Sequence, residues 1–252
     1  MSQFKFSVIT VVKNDQENIV KTLKSVLSQK KQVDLEYIVI DGNSLDETVN
    51  QINKFKNEID LFITENDMGI YDAMNKGIEN CSGDIVSFCN SGDIIKDKGL
   101  KKIENIFKSQ KCDFVFGTVI RNYLGGQIQK FGYNSKRIYY NFDFATSHST
   151  GFYVKKNVIN EIGKFDLKYK CSSDYDFYYK MINSNNYKGS STSKDDVIGE
   201  VASGGYSSRI SFLGHLVEET KIRINNKQNK FIIFLIFINA IIKYFYKRIF
   251  NK

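Results

Sequence analysis

The sequence predicts a doubly wound α/β sheet. Three observations carry that reading: apolar strand-length runs without alternation, amphipathic helical runs between them, and regular turn from one to the other for about 120 residues. Phe6–Val12 is nearly continuous in apolar residues, as expected of a strand buried on both faces of a parallel sheet. Ile19, Val20, Leu23, Val26 and Leu27 follow at helical spacing. Glu36–Asp41 reads as a second buried strand. Ser44-Leu45-Asp46-Glu47 has the pattern of a capping box, opening a helix with Val49, Ile52 and Phe55 inward. Asp60–Thr64 is a short third strand. Ile70, Ala73, Met74, Gly77 and Ile78 line one helix face. Asp84–Cys89 is the fourth strand, Leu100, Ile103, Ile106 and Phe107 mark another helix, and Asp113–Val119 another strand. From about Gly125 to Gly205 the pattern loosens into aromatic-rich short strands and a helix near Asp174–Asn183.

Composition narrows the class. With 252 residues, 42% hydrophobic and 25% charged, the chain can bury a large core. The net charge is +8. Residues 221–252 hold eight bases (Lys221, Arg223, Lys227, Lys230, Lys243, Lys247, Arg248 and Lys252) and no acid. The rest balances at 28 bases and 28 acids. A nucleic-acid binder would spread basic charge over a face of its body, so none is expected as partner. A basic tail beside an apolar run points to an anionic membrane surface instead. Cys81, Cys89, Cys112 and Cys171 lack Cys-x-x-Cys spacing and read as buried thiols. The first apolar run is ended by Lys13, Asn14 and Asp15 without a cleavage pattern. The expectation is a cytoplasmic protein, peripheral on the inner face of the cell membrane.

In open α/β sheets, ligands bind beyond the carboxyl ends of the strands. Thr10, Asn14 and Glu17 fall there on the first strand. Asp41, Asn43 and Ser44 follow the second, Asp67 and Gly69 the third, and Asn90-Ser91-Gly92-Asp93 the fourth. Carboxylates repel a bare phosphate, and a divalent cation between them resolves the conflict. Acids away from the cation suit nucleoside N–H and ribose hydroxyl groups. A nucleoside diphosphate with its leaving group at Asp93 is therefore expected. No Gly-x-Gly-x-x-Gly and no Gly-Lys-Ser/Thr loop is present, against a dinucleotide enzyme or a P-loop NTPase. Two histidines, His148 and His215, argue against a zinc site.

The segments SVITVVKND at 7–15, EYIVIDGNSLDET at 36–48, ENDMGIYDAMNKGI at 65–78, SGDIVSFCNSGD at 82–93 and SSDYDF at 172–177 together resemble the inverting family-2 glycosyltransferases. The resemblance spans about residues 5–210. It implies a GT-A fold, a Rossmann-like mostly parallel sheet flanked by helices, and a subgroup typical of bacterial polysaccharide biosynthesis. It implies sugar transfer from a nucleotide donor, a UDP-sugar first, to a lipid-linked or growing glycan, with Mg²⁺ or Mn²⁺ as cofactor. Carried over by position, Thr10, Val11, Glu17, Asp41 and Asn43 would hold the nucleoside. Asp67, Gly69, Asn75, Ser91 and Gly92 would lie near the donor, Asp93 would take the metal, and Asp174 would be the general base. His148 suits contact with acceptor or diphosphate, or a structural role. Two departures stand out. The usual metal motif has more acid than Asn90-Ser91-Gly92-Asp93, and Ser173 stands where a Glu is commoner. Asp176 reads as a solvated neighbour of Asp174.

The expected organisation is a glycosyltransferase domain over 1–215, with a nucleotide-sugar half to about 120 and an acceptor half beyond. A membrane-associating tail would span 216–252. Its run Phe231–Tyr246 is shorter than the ~20 residues a span needs, so an amphipathic interfacial helix is expected, with Lys230, Lys243, Lys247 and Arg248 towards headgroups. Docking on a second subunit is the other reading of that helix. Gly204-Gly205-Tyr206-Ser207 suits a loop over the site or, equally, an ordinary turn, and Tyr139 and Tyr140 suit stacking on a sugar or a place in the core. The alternatives in function are a nucleotidyltransferase making activated sugars and a catalytically inactive glycan-assembly scaffold. The first lacks a Gly-rich basic first loop, and the retained Asp93 and Asp174 speak against the second.

Overall fold

The computed structural model describes residues 4–123, 125–140 and 148–250, side chains 207 and 247–250 excepted. Strands are β1 (Lys5–Val12), β2 (Asp34–Asp41), β3 (Leu61–Thr64), β4 (Ile85–Phe88), β5 (Ile94–Ile95), β6 (Phe114–Phe116), β7 (Thr118–Tyr123), β8 (Gly126–Lys130), β9 (Phe152–Lys155), β10 (Gly189–Ser191) and β11 (Val197–Val201). Helices are α1 (Ile19–Leu27), α2 (Thr48–Asn53), α3 (Ile70–Asn80), α4 (Gly99–Gln110), α5 (Ser135–Tyr140), α6 (Lys156–Ile162), α7 (Ser173–Asn183), α8 (Phe212–Asn225) and α9 (Lys230–Phe250).

A seven-stranded sheet in the order β10-β6-β9-β4-β1-β2-β3 forms the centre. All its pairings are parallel except those of β9, which runs against both β4 and β6. The mostly parallel sheet expected from the apolar runs is thus observed. Consecutive residues of β1 from Phe6 to Val12 are all buried because both faces are covered. On one face Phe6, Val8 and Val39 pack with Leu23 and Val26 of α1 and Leu100, Ile103 and Phe107 of α4. On the other, Ile9, Val11 and Ile40 pack with Met74 and Ile78 of α3 and Phe177, Tyr178 and Met181 of α7. All four cysteines are free and buried, as expected.

Two local expectations are corrected. The run read as one strand ending at Val119 is two: Gly117 separates β6, in the central sheet, from β7, in a second sheet ordered β5-β11-β7-β8. The capping box at Ser44 does not form. Ser44 Oγ donates instead to Asp41, and α2 begins at Thr48 with no side-chain cap. A side chain bound to the preceding strand cannot also cap the following helix.

The tail is a pair of helices. Helix α8 crosses the expected boundary after residue 215, and its Leu216, Ile222 and Arg223 are buried. Arg223 is therefore not a surface charge of the basic tail. Helix α9 leaves Phe231, Phe234, Leu235, Ile238, Ile242, Phe245 and Tyr246 exposed, while Ile233 and Ile236 face inward. No helix among the described residues is long and apolar enough to cross a membrane. The side chains of Lys247 and Arg248, and residue Lys252, lie outside the described residues.

Candidate active site

The carboxyl ends of β1, β2, β3 and β4 gather the predicted residues into three groups. The first is a floor of buried hydrogen bonds. Asp41 is fully buried; its Oδ1 accepts from Ser44 Oγ (2.5 Å), and its Oδ2 accepts from Ser44 N (2.9 Å) and Thr64 Oγ1 (2.7 Å). The carboxylate thus holds the β2 turn against the end of β3. Ser44 Oγ also accepts from Asn14 N (2.8 Å), and Asn14 Oδ1 accepts from Leu45 N (2.8 Å). The β1 and β2 turns are thereby one unit. Asn43 is exposed on this unit with φ 61°, and its amide donates to Asn66 Oδ1 (3.2 Å). Glu17 is exposed at the entry to α1, and Val11 is buried on the sheet face covered by α3 and α7. Thr10 faces the sheet interior, where its hydroxyl donates to Cys89 O (2.7 Å) and meets Tyr37 Oη (2.9 Å).

The second group surrounds Asp93. Its Oδ2 accepts from Thr150 Oγ1 (2.5 Å) and its Oδ1 from Ala202 N (2.8 Å). Burial pushes its carboxyl up to about 6, against the pull of those two donors and of Arg121 and Lys21. His148 Nδ1 stands 3.8 Å from Asp93 Oδ2 and accepts from Thr150 N (3.3 Å). Burial, helped by the Arg121 charge, pushes His148 down to about 3, so it is neutral. Ser91 Oγ donates to Asp15 Oδ2 (2.6 Å), which ties this turn to the end of β1. Gly92 has φ 93°, a conformation that glycine adopts without strain. Arg121 of β7 acts on both Asp93 and His148, and its Nε is buried without a hydrogen-bond acceptor among the described residues. Motif reading missed Arg121. Its only sequence signal is a cation in an otherwise apolar strand start, Thr118-Val119-Ile120.

The third group runs from Asp67 to Asp174. Asp67 Oδ1 accepts from Gly69 N (3.0 Å) ahead of α3. Its other oxygen lies against Gly42, where any added Cβ would collide with it. Tyr71, two residues into α3, donates from its hydroxyl to Asp174 Oδ1 (2.9 Å), which also accepts from Tyr175 N (2.9 Å). Burial raises the Asp174 carboxyl above its ordinary range although both bonds pull it down. Asp174 sits one residue inside α7, whose N-cap is Ser172, so it is not the cap. Asn75 is turned away from this group: its amide donates to Phe165 O (2.8 Å) and accepts from Phe165 N (2.9 Å). Asp176 is corrected from solvated to buried, with Lys180 Nζ at 2.6 Å and Asn226 Nδ2 at 3.0 Å. A buried carboxylate is kept by such partners.

Hard divalent cations accept one or two carboxylates completed by substrate phosphates. Asp93 and the Asn90 amide oxygen, the latter buried without a hydrogen-bond donor among the described residues, are the groups here that could hold such a cation. No group of three or more His, Cys, Asp or Glu able to hold a metal occurs among the described residues.

The model of glycosyl transferase family 2 matches residues 7–165, and the chain belongs to that family. An uncharacterised glycosyltransferase of Mycobacterium tuberculosis is 41% identical over 87 residues, covering 34% of this chain and 33% of that protein. A PGL/p-HBAD biosynthesis glycosyltransferase of Mycobacterium bovis is 27% identical over 152 residues, 57% of each. Among solved structures, S. aureus TarS 1–349 in complex with UDP-GlcNAc superposes with a TM-score of 0.67 at 21% identity, covering 86% of this chain and 64% of that one. The mannosyltransferase PcManGT from Pyrobaculum calidifontis, in complex with GDP-Man and Mn²⁺, gives 0.66 at 15% identity, covering 90% and 65%. These likenesses show the GT-A-type fold. The chain spans between a third and just under two thirds of the length of these proteins.

Proposed function

We propose that this chain is an inverting glycosyltransferase that moves a sugar from a nucleotide-diphosphate donor, a UDP-sugar, to a hydroxyl of a lipid-linked or growing bacterial surface glycan. The observation that carries the reading is Asp174: a desolvated carboxyl, oriented by Tyr71, at the join between the donor helix α3 and α7. A carboxylate with raised basicity within reach of a hydroxyl is a competent general base. In the step proposed, the acceptor O–H bond breaks and its proton passes to Asp174. The freed electron pair forms the new C–O bond at the anomeric carbon. The bond to the diphosphate breaks on the opposite face, and the diphosphate leaves with its electrons.

The linked β1 and β2 turns, with Val11, Glu17 and Asn43, suit the nucleoside, held in shape from below by Thr10 and Asp41. Asp67 and Gly69 would border the donor sugar, with Asn75 fixing the helix that follows them. Ser91, Gly92, His148 and Arg121 would face the diphosphate. Mg²⁺ or Mn²⁺, when bound, would neutralise diphosphate charge, with Asp93 and Asn90 as its ligands. Arg121 would supply positive charge there independently of the cation. The exposed apolar face of α9, with Lys230 and Lys243 beside it, suits a peripheral position on an anionic membrane.

Asp174→Asn tests the base. The expected result is an unchanged thermal shift with UDP-sugars and a transfer rate lower by ~10²–10⁴-fold. Transfer at the wild-type rate would remove Asp174 from the role.

A further inference from the structure

Helix α8 carries His215, Glu219 and Arg223 at intervals of four, which puts them on one stripe. The far end of the stripe is locked under α7. Arg223 is fully buried and donates to Ile138 O (3.0 Å), Tyr139 O (3.1 Å) and Gln228 Oε1 (2.7 Å). Its guanidinium stands 5.7 and 5.6 Å from the Tyr175 and Tyr179 rings. The middle is locked by Glu218, which accepts from Lys170 N (2.8 Å) and Cys171 N (2.9 Å) just ahead of α7. Glu219 lies one turn before Arg223 on the same stripe, between the level at which Arg223 meets Tyr175 and Tyr179 and the level at which Glu218 meets Lys170 and Cys171, which sets it against the first turn of α7. The Asp174 charge acts on Glu219, and His215 acts on Asp174 from one turn earlier on α8. Asp174 already holds two hydrogen bonds that favour its charge. Glu219 has no hydrogen bond or ion pair among the described residues.

Two carboxyls side by side resist double ionisation, and the one with fewer donors keeps the proton. We propose that Glu219 is a second carboxyl of the acceptor site, donating a hydrogen bond from its protonated form to the acceptor sugar beside Asp174. The inference rests on Asp174 being the base. The groups facing the pair are Glu218, Arg223 and His215 from α8, Tyr175 and Tyr178 from α7, Tyr71 from α3, and Cys171 ahead of α7. Burial, with the Asp174 and Glu218 charges and against Arg223, pushes Glu219 up to about 8.

The first test needs no ligand. Carboxyl titration of the full chain by ¹³C NMR should show one glutamate titrating near pH 8, absent in Glu219→Gln and moved to lower pH in Asp174→Asn. A Glu219 that titrates in the ordinary carboxylate range, or is unmoved in Asp174→Asn, overturns the pairing. The second test uses UDP-sugars with n-octyl glycosides as acceptors. Glu219→Ala should raise acceptor KM by ~10-fold, the loss of about one hydrogen bond, with donor KM little moved. Glu219→Gln, whose amide still donates, should recover part of that loss and lack the fall in rate above pH 8. An unchanged acceptor KM in Glu219→Ala overturns the inference alone. Full transfer in Asp174→Asn overturns the base reading instead.

Discussion

Asp93 is buried and Asp174 half-buried, and desolvation weakens the acidity of both, yet their surroundings differ in kind. Both oxygens of Asp93 are engaged, by Thr150 and by the Ala202 amide, and a neutral His148 and the Arg121 charge stand beside it. Asp174 has Oδ1 engaged by Tyr71 and the Tyr175 amide, and no hydrogen bond to Oδ2 is found among the described residues. The first carboxyl is bound into a framework that joins three loops. The second is oriented at one oxygen with the other left to act. Burial alone would not separate the roles proposed for these two carboxyls, but the pattern of donors does.

Substitutions can break this contrast, and the largest effect is expected at the framework. Asp93→Ala should abolish the donor-induced thermal shift and lower stability by about 1–3 kcal/mol, because Thr150 Oγ1 and the Ala202 amide lose their acceptor. An undiminished shift with UDP-sugars and Mn²⁺ would separate Asp93 from the diphosphate. Tyr71→Phe should act on the other carboxyl, slowing transfer by ~10-fold through about one hydrogen bond. The Tyr71 bond favours the Asp174 charge, so its loss raises the Asp174 carboxyl further. The acid limb of the pH–rate profile should therefore move to higher pH. Asn75→Ala should cost about 1–3 kcal/mol of stability, read by thermal denaturation, because it strands both Phe165 backbone groups. Donor affinity in the folded protein should hold, and its collapse would place Asn75 in the donor site. Phe234→Glu with Ile238→Glu should have the smallest effect on the site. It should reduce sedimentation with anionic vesicles, and unchanged sedimentation would remove α9 as a membrane face.

Much of the donor side was legible because its signals are local. The apolar runs of β1, β2 and β4 fix the sheet, and turn residues just after them fix the strand-end cleft. The reading failed where one side chain had two possible partners. Ser44 had the pattern of a helix cap, yet the carboxylate of Asp41 three residues earlier binds it. Asp176 looked solvated because its partners Lys180 and Asn226 come from within α7 and from beyond α8. Arg121 and Glu219 were invisible because no motif surrounds them. Each reaches the site only through packing of elements distant in sequence, β7 against the Asp93 turn and α8 against α7. The tail's basic charge was legible as a sum, but the burial of Arg223 was not.

Inverting transfer driven by a carboxylate base is read most directly from the stereochemistry of the first product. Proton NMR of the glycoside formed from an α-linked UDP-sugar should show the β-anomer at the earliest time points. An α-linked first product would contradict single-displacement chemistry at Asp174.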